Sequence, residues 1–226
     1  MKVLVTGANG FIGRVLCAQL QHDGHQVVAA VRRPCGLANE FVVDENGSTW
    51  AQALSRCDAV IHLAGLAHVV HEDVVDPLQA FRAANVHASV QLALLAARAG
   101  VRRFVFMSSI KVNGERTSLD CPFTPNDIPM PEDAYGVSKW EAEQALQTIA
   151  QASDMELVVI RPPLVYGPGV KGNFSRLIQW VRVGIPMPLG AVNNKRSMVA
   201  LDNLVALTTL CANLAESPKA AGEVFL

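Results

Sequence analysis

At 226 residues, half of them apolar, with 17% charged residues and a mean hydropathy of +0.25, the chain can bury a sizeable core as one large domain or one domain plus a fragment, which excludes disorder. Its 19 basic and 20 acidic residues leave a formal net charge of -1 and are spread along the length, so there is neither a nucleic-acid stripe nor a polybasic membrane patch. A small molecule is the expected partner.

The chain opens on a strand, Lys2 to Thr6, after which Gly7, Asn9 and Gly10 interrupt the apolar run, so no signal-peptide core forms. No stretch elsewhere stays apolar and uncharged long enough for a membrane span, and a cytoplasmic protein is expected. The segment Thr6-Gly7-Ala8-Asn9-Gly10-Phe11-Ile12-Gly13 opens a helix with Phe11, Ile12, Val15, Leu16 and Leu20 on its apolar side. In such a GxxGxxG turn Gly7 permits the tight bend, Gly10 lets backbone approach a pyrophosphate, and Gly13 lets helix pack closely on strand. The free helix N-terminus then faces the anion. Asn9, Phe11 and Ile12 belong to the same expected dinucleotide cradle.

The second strand, Gln26 to Val31, runs into Arg32-Arg33-Pro34, with no Asp or Glu placed to grasp a ribose 2′-hydroxyl. Arginine there favours a 2′-phosphate, so NADP is expected over NAD. The alternative is a solvated loop whose arginines contact nothing. Asp44, after the short run Phe41 to Val43, is read either as an acceptor for the adenine amino group or as a turn cap.

Further strands are predicted at Ala59 to Leu63, Arg103 to Met107 and Glu156 to Ile160, alternating with helical segments, which implies a doubly wound parallel α/β sheet covered by helices. One helix is predicted from Pro77 to Ala99, with Asp76 as N-cap, Pro77 in the first turn, Gly100 as the left-handed stop, and Phe81, Ala84, Val86, Val90, Leu94 and Leu95 facing the sheet. A second runs from about Asp133 to Ala150. After Arg161 the Pro and Gly punctuation predicts an irregular cap with one short helix near Phe174 to Val183. This divides the chain into a dinucleotide-binding part, 1–161, and a partial substrate cap, 162–226, interleaved with returning sheet elements.

Tyr135-Gly136-Val137-Ser138-Lys139 is a YxxxK pair near a helix start, and i, i+4 spacing puts both side chains on one face. A phenol works as an acid or base near neutrality only if its phenolate is stabilised. A lysine ammonium beside it does this, and can also hold the nicotinamide ribose. Ser109 follows a strand at the C-terminal edge, where ligands lie in such sheets, and its hydroxyl can polarise a substrate oxygen.

Taken together, TGANGFIG at Thr6 to Gly13, HLAG at His62 to Gly65, Asn85, Ser108-Ser109, YGVSK at Tyr135 to Lys139 and RPPLVYGPG at Arg161 to Gly169 resemble the extended short-chain dehydrogenase/reductase superfamily, in its NAD-dependent epimerase/dehydratase branch. The resemblance covers essentially the whole chain. It implies a catalytic triad of Ser109, Tyr135 and Lys139, with Leu63, Ala64, Gly65 and Pro162 lining the cofactor and Asn85 supporting the central strands. It also implies that Asn173, Phe174 and Arg196 hold a nucleotide-sugar diphosphate, and that a homodimer forms through helices. Sugar dehydratases of the branch place an Asp-Glu pair just after the hydroxyl residue; here Ile110-Lys111 follow Ser109, so dehydration is not expected. Family members are longer, and the chain's last residues, Gly222 to Leu226, look like a strand, so an incomplete cap is expected.

The expected activity is oxidoreduction at C4 of a nucleotide sugar, first as a 4-ketoreductase and alternatively as a 4-epimerase holding NAD. A non-catalytic dinucleotide sensor would keep the glycine turn but has no need of Tyr135 and Lys139. His68 and His71 are read as loop residues and no metal is expected. Cys17, Cys35, Cys57, Cys121 and Cys211 are read as reduced thiols, and Trp50, Trp140 and Trp180 as packing residues. His62 and His87 are read as structural. Lys111 is a surplus charge beside Ser109, facing either pocket or solvent.

Overall fold

The computed structural model describes residues 1–44, 48–67, 76–118, 120–170, 173–184, 186 and 193–226. Runs of β-branched and apolar residues form the strands β1 (Lys2–Thr6), β2 (Gln26–Val31), β3 (Glu40–Val42), β4 (Ala59–His62), β5 (Arg103–Met107) and β6 (Glu156–Ile160). With β9 (Val224–Phe225) they make a seven-stranded sheet in the order β3-β2-β1-β4-β5-β6-β9, parallel throughout. A small two-stranded parallel sheet pairs β7 (Leu164–Tyr166) with β8 (Met198–Ala200). Strand order reverses between β1 and β4, and a ligand crevice opens at the C-terminal ends of strands flanking such a reversal.

Alternation along the strands splits the core into two layers. Val3, Val5, Val105 and Met107 face α1 (Phe11–His22) and α7 (Leu201–Ala212), which bury Leu16, Leu20, Leu201 and Leu204. Leu4, Val60, Phe104 and Phe106 face the other layer, formed by α2 (Trp50–Leu54), α4 (Ala88–Arg98) and α5 (Ala134–Gln151), with Leu54, Leu92, Ala96, Ala142 and Leu146. Helices therefore cover both faces, the doubly wound arrangement.

The predicted helix from Pro77 to Ala99 is three pieces: α3 (Pro77–Phe81), a π-helical turn at Arg82–His87, and α4. Asp76 caps it by accepting from the Gln79 amide at 3.1 Å, and Gly100 closes it at φ +78°. The buried line is Phe81, Asn85, Ser89, Leu92, Ala93 and Ala96, whereas Leu94 is 42% exposed, and Val86 and Leu95 pack only at the edge. Phe81 lies on this line as predicted, but Asn85 and Ser89 are polar, so apolar periodicity alone misses its centre.

After Arg161, α7 lies against α1 and β9 returns to pair with β6. The short helix predicted in the cap is α6 (Asn173–Arg182). Among the described residues no helix is long and apolar enough to cross a membrane, and all five cysteines are free.

Candidate active site

The glycine turn is built as its residue types require. Gly7 has φ +68°, and a Cβ there would stand 2.8 Å from the Ala64 amide and 2.9 Å from the Leu63 carbonyl carbon, so the loops after β1 and β4 meet backbone to backbone. Gly13 sits so close to the Gly7 carbonyl and Ala8 that no side chain fits. The Gly10 amide donates to the Gly7 carbonyl at 2.9 Å, and Gly10 begins α1 with no side-chain cap. Asn9 and Gly10 are exposed, Phe11 and Ile12 half-buried. An uncapped helix start beside two exposed small residues fits a pyrophosphate. Gly7, Asn9, Gly10, Phe11, Ile12 and Gly13, the expected cradle, are the residues of this turn.

Beyond β2, Arg32 and Arg33 are both exposed. Asp44 has a local task, the turn cap that was one of the two roles considered for it. Its oxygens accept from the Ser48 amide (3.3 Å) and hydroxyl (2.5 Å) and from the Thr49 amide (3.1 Å) and hydroxyl (2.9 Å). These bonds occupy the carboxylate's acceptor positions and hold the carboxyl down at about 2. It is a turn cap.

Behind the crevice runs a directional hydrogen-bond chain that sequence reasoning missed. Ser89 Oγ donates to the Asn85 carbonyl at 2.6 Å, so it must accept from His62 Nε2 at 2.8 Å. Burial pushes the His62 imidazole down to about 3, helped by the nearby Lys139 charge, so the ring is neutral and Nδ1 accepts from Thr6 Oγ1 at 2.6 Å. Thr6 Oγ1 in turn accepts from the Ala64 amide at 3.2 Å. His62 thus joins the end of β1, the loop after β4 and the π-helical turn. Asn85 finishes the clamp, its Oδ1 accepting from the Leu66 amide (2.7 Å) and its Nδ2 donating to the Leu66 carbonyl and Ser138 Oγ (both 3.0 Å).

Asp133 caps α5 by accepting from the Gly136 amide at 2.6 Å, which sets Tyr135 in the first turn and Lys139 one turn later. The two share a face, but the Lys139 ammonium donates to the Met107 carbonyl at 2.9 Å and lies 4.6 Å from the Phe106 ring centroid. A Cβ on Gly65 would stand 2.9 Å from Asn85 Oδ1 and 3.3 Å from that nitrogen, so the loop after β4 is held bare there. Burial pulls Lys139 down to about 8, against Glu143, whose charge pulls upward. Burial pushes the Tyr135 phenol up, the opposite of the lowering expected from Lys139; the Ser109 hydroxyl and Lys111 oppose that rise, while Asp133 adds to it. Ser109 Oγ accepts from the Lys111 amide at 3.3 Å, which leaves its O–H to be donated to a substrate oxygen.

A second buried network supports the serine from behind. Glu143 takes Arg161 Nε at 3.0 Å and NH2 at 2.6 Å, and accepts the Ser108 hydroxyl as well. Arg161 NH1 donates to Asn113 Oδ1 at 3.0 Å. Strand β6, α5 and the turn after β5 are therefore pinned by one ion pair whose side chains are 3% and 5% exposed. Next to Arg161, the Pro162 carbonyl accepts from the Ile110 amide at 3.1 Å.

The softer expectations come together less. Phe174 packs on Tyr166 with ring centroids 6.1 Å apart, and Arg196 is exposed. The side chain of Asn173, and His68 and His71, lie outside the described residues. Among the described residues no group of His, Cys, Asp or Glu can hold a metal ion.

The family model described as "NAD dependent epimerase/dehydratase family" matches residues 3–224. A Vibrio cholerae protein named UDP-glucose 4-epimerase is 45% identical over 232 residues, covering 100% of this chain and 70% of its own length. For the Sinorhizobium fredii protein y4nL, 31% identical over 209 residues, the shares are 92% and 53%. The structure of MoeE5 in complex with UDP-glucuronic acid and NAD superposes with a TM-score of 0.79 at 31% identity, covering 93% of this chain and 71% of that one. Glycine turn, serine turn, YxxxK helix and sheet order all agree with that match: the chain belongs to the NAD-dependent epimerase/dehydratase family of short-chain dehydrogenase/reductase-type enzymes.

Proposed function

We propose that the chain is a nucleotide-sugar 4-epimerase acting on a UDP-sugar with NAD. The observation that carries this reading is the Ser109 hydroxyl acting on the Tyr135 phenol at the crevice beside the glycine turn, with Lys139 one helical turn further on. The name of the Vibrio cholerae relative and the ligands of MoeE5 support it. With its pyrophosphate held by the glycine turn, a bound NAD would supply the hydride acceptor and donor. Tyr135 takes the proton from the sugar C4 hydroxyl and returns it to the same oxygen, while Ser109 donates to that oxygen as it becomes a carbonyl. Lys139 lies beside Gly65, where it holds the nicotinamide ribose and keeps positive charge close to the reacting atoms. Phe174, Asn173 and Arg196 are proposed to hold the diphosphate, in a partial cap within residues 162–226, which also return α7 and β9 to the main fold.

One observation favours a second reading, net reduction of a 4-keto nucleotide sugar by NADPH. Arg32 and Arg33 stand exposed after β2, where an acidic residue would select NAD. Calorimetric titration with NAD+ and NADP+ separates the two. Tighter NADP+ binding that is lost in Arg32→Ala or Arg33→Ala supports the reductase; equal or tighter NAD+ binding, unchanged in both variants, supports the epimerase.

A further inference from the structure

The turn after β5 is tied to the first turn of α5 by three contacts. The Lys111 carbonyl abuts Gly136 so closely that a Cβ there would stand 2.9 Å away. The Lys111 ammonium reaches Asp133 Oδ2 at 2.5 Å, while Asp133 Oδ1 holds the Gly136 amide. The Ser109 hydroxyl, closing its own turn on the Lys111 amide, lies close enough to act on the Tyr135 phenol. Tyr135 sits between Asp133 and Gly136 in sequence, so this clamp sets where the phenol stands.

The charges around the phenol are few. Asp133 faces it from the same helix and disfavours the phenolate; Lys111 faces it from the serine turn and favours it. Glu115 stands behind Lys111, accepting from its ammonium at 2.7 Å. Phe81 packs its ring 5.9 Å from the Tyr135 ring, and Lys139 spends its ammonium on the Met107 carbonyl. Lys111 is thus the cation that the serine turn brings onto Asp133 at the start of α5, and its charge favours the Tyr135 phenolate.

We propose that Lys111 is a positioning residue for the acid–base step: its ammonium, bound to the Asp133 carboxylate, locks the serine turn to the start of α5 and cancels the negative charge that Asp133 would otherwise present to the Tyr135 phenol. The inference rests on Tyr135 as the acid–base group of the reaction proposed above. Both partners are more than a third exposed, so the pair adds little to stability and Lys111→Met keeps the fold.

The chain has two tyrosines, Tyr135 and Tyr166. Protein labelled with 13Cζ-tyrosine therefore gives two resonances, assigned with Tyr166→Phe, and their shifts report phenolate fraction without any substrate. At the highest pH at which far-UV circular dichroism shows all variants folded, Lys111→Met should lower the Tyr135 phenolate fraction about threefold, the scale of one nearby charge in a partly solvated site. Lys111→Arg should match the parent. Lys111→Met combined with Asp133→Asn, which removes both charges and keeps a capping side chain, should restore the parent fraction. An unchanged or larger fraction in Lys111→Met, or a double variant no better than the single one, overturns the proposal. Where a nucleotide sugar is turned over, kcat should fall by the same factor in Lys111→Met with NAD affinity unchanged. Failure of turnover in the parent would count against the proposed reaction and leave the phenolate reading to decide this inference.

Discussion

The Lys139 ammonium donates to the Met107 carbonyl, 2.9 Å away at the C-terminal end of β5, and this bond fixes a positive charge between the serine turn and the tyrosine helix. With its ammonium held near 8 by burial, Lys139 is mostly charged at neutral pH and close to its own titration point. Tyr135 stands one helical turn before it. Tyr135→Phe should keep NAD affinity and cut turnover by about a hundredfold, the scale for losing a positioned acid or base. Lys139→Ala should weaken both cofactor binding and turnover. Steady-state kinetics with calorimetry checks this, and a phenylalanine variant at the parent rate would remove Tyr135 from the mechanism.

His62 makes acid stability a readout of the buried chain. Its folded-state pKa, about 3, lies below the ~6.5 of an unfolded histidine. Between these values the unfolded chain binds a proton that the folded chain refuses, so the stability His62 contributes is present above the unfolded value and is lost as pH falls. Urea unfolding of the parent at several pH values from 4 to 6 should therefore carry about 1.4 kcal/mol per pH unit from this residue alone. His62→Gln should flatten the dependence by about that amount; an unchanged slope would mean that His62 is not held neutral.

The Glu143 and Arg161 pair should matter by what its breakage leaves behind. A buried ion pair adds little net stability, but removing one partner strands the other charge. Glu143→Ala should cost about 3–5 kcal/mol in urea unfolding, because Arg161 is 3% exposed and has no water to turn to. A loss below ~0.5 kcal/mol, the size of a surface change, would contradict this.

The central strands, the glycine turn and the YxxxK helix were legible because each rests on local signals: β-branched runs, glycines where a Cβ would strike Ala64 or Gly7, and a capping Asp133; β7 and β8, in a stretch read as irregular, were not. The buried face of the Pro77 to Ala99 segment was not, because Asn85 and Ser89 are polar and are buried for the bonds they make, not for transfer from water. Asp44 stayed open between two roles, since a carboxylate after a strand looks the same whether it holds a ligand or its own turn. His62 was read as structural, but its bond to Thr6 could be found only by pairing the two across β1 and β4, a register no single segment shows.

The most direct test of the central claim is proton NMR of UDP-glucose incubated with the protein and catalytic NAD+. The proposed reaction predicts the C4 epimer accumulating to equilibrium with no net change in nicotinamide absorbance, and its loss in Tyr135→Phe. No epimer from UDP-glucose, UDP-glucuronic acid or their N-acetylamino counterparts, together with stoichiometric NADPH oxidation by a 4-keto nucleotide sugar, would contradict it.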